Sequence, residues 1–391
     1  MTFNVHKFIT PSIKNIPPSG IRRFFDMATQ MKGVISLGVG EPDFVTPWHI
    51  REACMYSLEK GYTMYTSNYG VPELRREVCN YLAKRYQVEY DYTSEIIITI
   101  GASEAVDLAA RTILEPGDEV LIPEPCYVSY KPCVELAGGI AKPIPTNVDH
   151  EFRITAAELV KHLTPKTKAI IINYPNNPTG TTLTLQDLLP IAELAKKHDF
   201  MVISDEIYSE LTYEGEHIAF SSLPGMKERT ILINGFSKAF AMTGWRVGYV
   251  AAHPELIKQM VKIHQYAILC APVMGQMAAL EALKNGKSEV DHMRESYDQR
   301  RRLVVARLHE IGLEVFDPQG AFYAFPSIKN TGLTSEEFAE NLLKEEKVAI
   351  VPGTAFGESG EGFIRLSYAA SLPNLEEAFK RMGKFVEKYA R

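Results

Sequence analysis

Short apolar runs alternate with amphipathic stretches through the middle of this chain. Residues 96–100, 119–122, 169–173, 201–204 and 230–233 are four or five residues long, mostly Ile, Val, Leu and Ala, with few charges. Runs of that length and composition predict buried strands. Helical spacing fills several gaps: a stretch ending near Lys60, opened by Thr46 as candidate cap and Pro47, then one closing near Tyr86, and another over 185–198. Residues 245–251, WRVGYVA, read as one more strand. Strands alternating with helices predict a mostly parallel α/β sheet covered on both faces. Pro190 lies inside the pattern 185–198 and predicts a kink or restart there.

Near Asn285–Gly286 the alternation stops. A long charged helix is expected over 289–311, then strands at 322–325, 348–351 and 363–368 with helices at 335–346 and 373–390. That pattern predicts a smaller α+β domain packed on the first. Ahead of the alternation stand Pro11, Pro17, Pro18 and Gly20, a short helical stretch at 21–31, and the turn GVGEPD at 38–43. The expected organisation is therefore an N-terminal arm and segment packing with the small domain (1–46), a large domain (47–285) and a small C-terminal domain (286–391).

Composition narrows the classes of function. The 391 residues are 46% hydrophobic and 23% charged, ordinary for a globular protein. The net charge of −6, with no basic run, argues against nucleic acid as a partner. The opening MTFNVHKFIT lacks a signal-like apolar core, and no stretch approaches the roughly 18 apolar residues of a membrane span. Cys54, Cys79, Cys126, Cys133 and Cys270 show no CxxC pair or His spacing. The expectation is a cytoplasmic protein without metal or disulfides, binding neither membrane nor nucleic acid.

The chemistry concentrates in NGFSKAFAMTGWRVG (234–248), where Lys238 and Arg246 follow a predicted strand. In parallel sheets ligands bind at that edge. Lys238 is compatible with a solvated loop charge, or with an amine that condenses with a carbonyl cofactor, which requires a lowered pKa. Arg246 and Ser237, among small neighbours, suit a phosphate-bearing aldehyde. GASEA (101–105) turns from strand to helix, offering free N–H groups to an anion, or simply using Ser103 as N-cap. Asp205 leaves the end of another strand, as a helix cap or as partner of a protonated pyridine nitrogen. Tyr208 could reach the same cavity. Asn177 sits in the rigid NYPNNPTG (173–180), its amide able to donate to an oxygen anion. Arg365, within FIRLSY (363–368), is either an edge-strand charge or a bidentate clamp for a carboxylate.

NYPNNPTG, SDEIY, NGFSKAFAMTGWRVGY and GFIRLSYA, in that order and spacing, resemble the class I aminotransferases of fold type I, which depend on pyridoxal 5′-phosphate. The resemblance runs from GVGEPDF through GASEA to the last helix. It implies that Lys238 holds the cofactor as an internal aldimine and shuttles a proton between Cα and C4′. It implies that Asp205 partners the ring nitrogen, that Tyr208 and Asn177 contact O3′, and that Tyr127 stacks on the ring. Ala102, Ser103, Ser237 and Arg246 fall in the family's phosphate cup. Arg365 and Gly40 match residues that bind the substrate α-carboxylate, with Asn177 assisting. Tyr65 matches a tyrosine that reaches the phosphate of the neighbouring subunit, which implies a homodimer.

The implied reaction exchanges an amino group between an L-amino acid and a 2-oxo acid, with 2-oxoglutarate the expected acceptor. Some relatives that prefer aspartate carry Lys at the third position of the GASEA-like turn, where this chain has Ser103. An aromatic or other neutral donor is therefore expected. The alternatives are an aspartate or alanine aminotransferase, or a β-lyase using the same cofactor and fold. A nucleotide-binding protein is disfavoured, since neither GxGxxG nor GxxxxGK[ST] occurs.

Overall fold

The computed structural model describes residues 3–18, 20–29 and 31–390. After a short strand β1 (Ile35–Ser36), the apolar runs become β2 (Ile96–Thr99), β3 (Glu119–Glu124), β4 (Ile140–Pro145), β5 (Thr167–Asn173), β6 (Met201–Asp205), β7 (Thr230–Gly235) and β8 (Gly248–Ala251). These last seven form one sheet in the order β2-β8-β7-β6-β5-β3-β4. Adjacent strands are parallel, except that β8 runs antiparallel to both β7 and β2. Six strands therefore end at one edge of the sheet, and β8 begins there.

Alternation along the strands divides the core between two faces. Ile97, Ile231 and Ile233 pack with residues of helices Gly101–Ile113 and Pro254–Ala267. Ile96, Ile98 and Leu232 turn the other way, towards helices Pro72–Tyr86 and Val273–Asn285. Every residue of β2 and β7 is buried. That is why these runs read as continuous apolar stretches with no polar alternation.

Four local features depart from the sequence pattern. β4 was not foreseen: it is a half-exposed edge strand with Pro143 and Pro145, so it lacks an apolar signature. Helix Leu185–His198 continues through Pro190. Pro190 is exposed, as is Gln186, whose carbonyl loses the usual partner to the ring. Thr46 does not cap the helix Trp48–Glu59; its hydroxyl donates to the Ala241 carbonyl at 2.6 Å, and Pro47 holds the cap position. The strand expected from residue 245 begins at Gly248, because Arg246 takes a left-handed φ of 55°.

From Lys287 the architecture changes. Helix Lys287–Glu310 leads to β9 (Tyr323–Ala324), β10 (Val348–Ala349), β11 (Val351–Pro352) and β12 (Ile364–Ser367), with helices Ser335–Glu346 and Leu372–Tyr389. β11, β12 and β9 form an antiparallel three-stranded sheet. β1 pairs in parallel with β10, and Phe24 and Leu37 enter the core built by Phe338, Leu342, Phe379 and Phe385. The segment before residue 46 thus packs against C-terminal elements. Among the described residues no helix is long and apolar enough to cross a membrane.

Where β8 meets β2, the backbones approach closely. A Cβ on Gly248 would fall 2.6 Å from the Gly101 carbonyl carbon and 2.7 Å from the Ala102 nitrogen. Gly248→Ala is expected to destabilise the protein by about 1–3 kcal/mol through this backbone clash, measured by denaturant unfolding. An unchanged midpoint would show that the approach is not sterically limiting.

Candidate active site

The chemistry-bearing residues converge because the strands end together. β2 runs into Gly101, β5 into Asn173 and the loop with Asn177, β6 into Asp205 and Tyr208, and β7 into Ser237 and Lys238. The reversed β8 is entered from Arg246, so it delivers that residue to the same edge. Arg365 arrives on β12 from the C-terminal part. A cavity of about 1180 Å³ opens here, lined by Gly40, Ala102, Ser103, Tyr127, Asn177, Asp205, Tyr208, Ser237, Lys238, Arg246 and Arg365. Of the residues singled out from the sequence, Tyr65 is the exception; it lies outside the cavity, 83% exposed.

Lys238 projects into this space. Its Nζ donates to the Gly40 carbonyl at 2.7 Å and lies 5.7 Å from the ring centre of Tyr208. Burial pushes its pKa down to about 8; Glu41 opposes the shift, while Arg365 and Arg246 add to it. A usable fraction of neutral amine therefore exists near neutral pH, as a nucleophilic lysine requires.

Asp205 is buried at the end of β6. Burial raises its carboxyl to about 6, against the hydrogen bonds that favour the anion. Those bonds come from the Tyr130 hydroxyl at 2.7 Å and the Ile207 N–H at 3.2 Å. It is not a helix cap: Ile207 and Tyr208 form a turn, and Tyr208 holds the cap position of the short helix Ser209–Leu211. The Asn173 side chain locks the geometry, donating to the Asp205 carbonyl at 2.8 Å while its own oxygen accepts the Asn177 N–H at 2.9 Å.

At another side of the cavity, helix Gly101–Ile113 presents its N-terminus. Ile100 holds the cap position, so Ser103 is the third helical residue and not the cap. Gly101 has φ +70°, and a Cβ there would fall 2.7 Å from Nη2 of Arg246. Arg246 donates to the Thr243 carbonyl at 3.0 Å. Helix N–H groups, a guanidinium and the Ser237 hydroxyl lining one cavity are groups that can hold an anion.

Arg365 is 1% exposed. It donates to the Asn177 side-chain oxygen at 3.0 Å and to the Gly38 carbonyl, and its Nε has no partner. The guanidinium stacks over Tyr323 at 4.6 Å and Phe356 at 4.8 Å. No carboxylate pairs with it among the described residues. A buried cation without a counter-ion is costly, and this one lies open to the cavity. It is not an edge-strand charge, because β12 is the central strand of its sheet.

A model of the family "Aminotransferase class I and II" matches residues 32–382. The chain belongs to the class I and II aminotransferases. It is 56% identical over 381 residues to the putative aminotransferase YugH of Bacillus subtilis (strain 168), covering 97% of this chain and 99% of that one. It is 50% identical over 376 residues to the aspartate aminotransferase of Pyrococcus abyssi (strain GE5 / Orsay), covering 95% and 97%. Among solved structures, the aromatic aminotransferase from Pyrococcus horikoshii OT3 superposes with a TM-score of 0.90 at 48% identity, covering 93% of this chain and 99% of that one. The fold is that of fold type I, and the enzyme is a transaminase.

Three residues of this aminotransferase escaped the sequence reading. Tyr130, Asn173 and Tyr323 all line the cavity. Asn173 is the first residue of a loop already singled out, and Tyr130 stands three residues after Tyr127. Tyr323 offered no signal: it lies 115 positions from Tyr208, whose hydroxyl it meets at 2.7 Å.

Two measurements address the electrostatics of this aminotransferase. In the cofactor-free chain, reductive labelling of Lys238 by a small aldehyde should rise with pH through a midpoint near 8. A midpoint in the ordinary lysine range would contradict the burial argument. The Tyr130 hydroxyl holds the Asp205 carboxyl down, so Tyr130→Phe should raise it further above about 6. The carboxylate is then lost at a higher pH, which infrared titration of the cofactor-free chain should show as an upward-shifted midpoint for the Asp205 carboxyl; an unmoved midpoint removes Tyr130 from this role.

Proposed function

We propose that this aminotransferase binds pyridoxal 5′-phosphate in the cavity and exchanges the amino group of an aromatic or other neutral L-amino acid with a 2-oxo acid, 2-oxoglutarate being the common acceptor. The observation that carries the reading is the depressed amine of Lys238 in one cavity with a buried carboxylate and a buried guanidinium that pairs with no carboxylate among the described residues and whose Nε has no partner. The fit is supported by the Gly101–Arg246 pair: a Cβ on Gly101 would collide with the Arg246 guanidinium, so only glycine lets that cation lie against the start of the helix. When bound, the cofactor supplies an aldehyde carbon and a protonated ring that accepts the electron pair released at the substrate Cα.

The chain's own residues take defined parts. Ala102, Ser103, Ser237 and Arg246 hold the phosphate. Asp205 keeps the ring nitrogen protonated; burial raises its carboxyl, and a protonated ring nitrogen beside it would favour the anion. Tyr127 packs on the ring. The side-chain oxygen of Asn177 is engaged by Arg365, which leaves its NH2 to donate to the ring oxygen and to the substrate carboxylate. If Tyr323 donates to the Tyr208 oxygen, the Tyr208 proton is free for that same ring oxygen. Arg365 and the backbone at Gly40 orient the α-carboxylate. With the cofactor bound, Lys238 Nζ would be the base that takes the proton from the substrate Cα.

The donor preference rests on charge. Among the described residues, the cations that line the cavity are Lys131, Lys238, Arg246 and Arg365. The last three have parts already, and Lys131 pairs with Glu135 at 4.0 Å. Ile16, Pro17, Ile21 and Val39 add an apolar wall suited to a neutral side chain. A homodimer is supported by the exposed Trp48, Met64 and Tyr65, with Tyr65 reaching the partner's phosphate. Free thiols at all five cysteines accord with a cytoplasmic location.

Lys238→Ala should lower turnover about 10³-fold or more; substantial residual turnover would refute the assignment. Single amino acids added to the holoenzyme should bleach the cofactor's visible band, phenylalanine and tyrosine at lower concentration than aspartate. Aspartate acting best would reverse the donor assignment, and ammonia release would indicate a β-lyase.

A further inference from the structure

The helix that opens the anion site, Gly101–Ile113, has no side-chain cap at Ile100. Its first turn is held from the other direction. Glu104 reaches back so that its Oε2 accepts the Ile100 N–H at 2.5 Å, while Oε1 lies 2.6 Å from Nδ1 of His264. His264 is fully buried in the last turn of helix Pro254–Ala267, and its Nε2 has no partner. Nδ1 is then the protonated nitrogen and donates to the carboxylate. Neither Glu104 nor His264 lines the cavity.

This arrangement answers two demands of the anion site. Gly101, at φ +70°, gives the turn freedom that must be restrained if its N–H groups are to stay aimed. An acidic side chain in the first helical turn also competes for those same N–H groups and repels a bound anion. Tying Glu104 between Ile100 and His264 satisfies both of its oxygens away from the cavity. His264 is itself anchored, since its carbonyl accepts the N–H groups of Ile268 and Leu269. The Leu269 carbonyl in turn accepts from Asn68 at 2.7 Å.

We propose that Glu104 and His264 are positioning residues for the phosphate end of the cofactor: together they pin the turn from Ile100 to Ser103 and hold the carboxylate off the phosphate. The proposal rests on the cofactor reading above. It is tested on the full chain, freed of cofactor by dialysis and titrated separately with pyridoxal 5′-phosphate and with pyridoxal, which lacks the phosphate. Glu104→Ala and His264→Gln should weaken pyridoxal 5′-phosphate about tenfold, the effect of losing one charge-assisted hydrogen bond, and leave pyridoxal little changed. Glu104→Gln, which keeps an acceptor for the Ile100 N–H, should fall between. Equal weakening of both ligands, or none, in these variants overturns the proposal. If Glu104→Ala fails to fold by circular dichroism, His264→Gln and Glu104→Gln decide it by the same ratio. A wild-type chain that binds both ligands alike would refute the phosphate cup itself and this inference with it.

Discussion

A buried amine shares its cavity with two guanidinium groups, and much of the site follows from that. Arg365 and Arg246 depress the Lys238 amine, and burial depresses it more. Glu41 and Asp205 oppose them, so the amine settles near neutrality instead of losing its proton entirely. The balance is electrostatic and acts in a partly desolvated space, where each charge counts for more than it would in water. The same desolvation raises Asp205. Lysine and carboxyl thus move towards each other from opposite ends of the scale, because burial disfavours the charged form of each.

Holding these groups together depends on strand direction. Six parallel strands deliver their C-terminal ends to one edge, and the reversed β8 delivers the residue that precedes it. Reversal is what allows Arg246 to face the helix beginning at Gly101; it brings the backbones so close that Gly248 has no space for a side chain, and at Gly101 the Arg246 guanidinium fills that space. Geometry at the anion site is therefore a consequence of sheet topology.

The side of the cavity around Arg365 is assembled differently. Arg365 reaches Asn177 from β12, and Lys238 reaches the Gly40 carbonyl from the end of β7. The segment carrying Gly38 and Gly40 follows β1, which pairs with β10. Residues far apart in the chain are thus joined by backbone pairing on one side of the cavity and by side-chain contacts across it.

What the sequence determined by itself was local. Apolar runs buried on both faces, such as β2 and β7, declare themselves because most of their positions are apolar with no polar alternation, and Lys238, Asp205 and Arg365 stand out because polar groups at such places need a reason. Edge strand β4 stayed hidden because half of it meets water. The uninterrupted helix through Pro190 could not be read either, since whether a proline breaks a helix depends on which side of it faces solvent. Tertiary structure alone decided that Tyr323 meets Tyr208, that Tyr130 holds Asp205, and that Glu104 is tied to His264. These pairs span 115, 75 and 160 positions. Sequence periodicity records which way a residue faces; only the packed chain records what it faces, because a contact between distant segments leaves no mark on either segment alone.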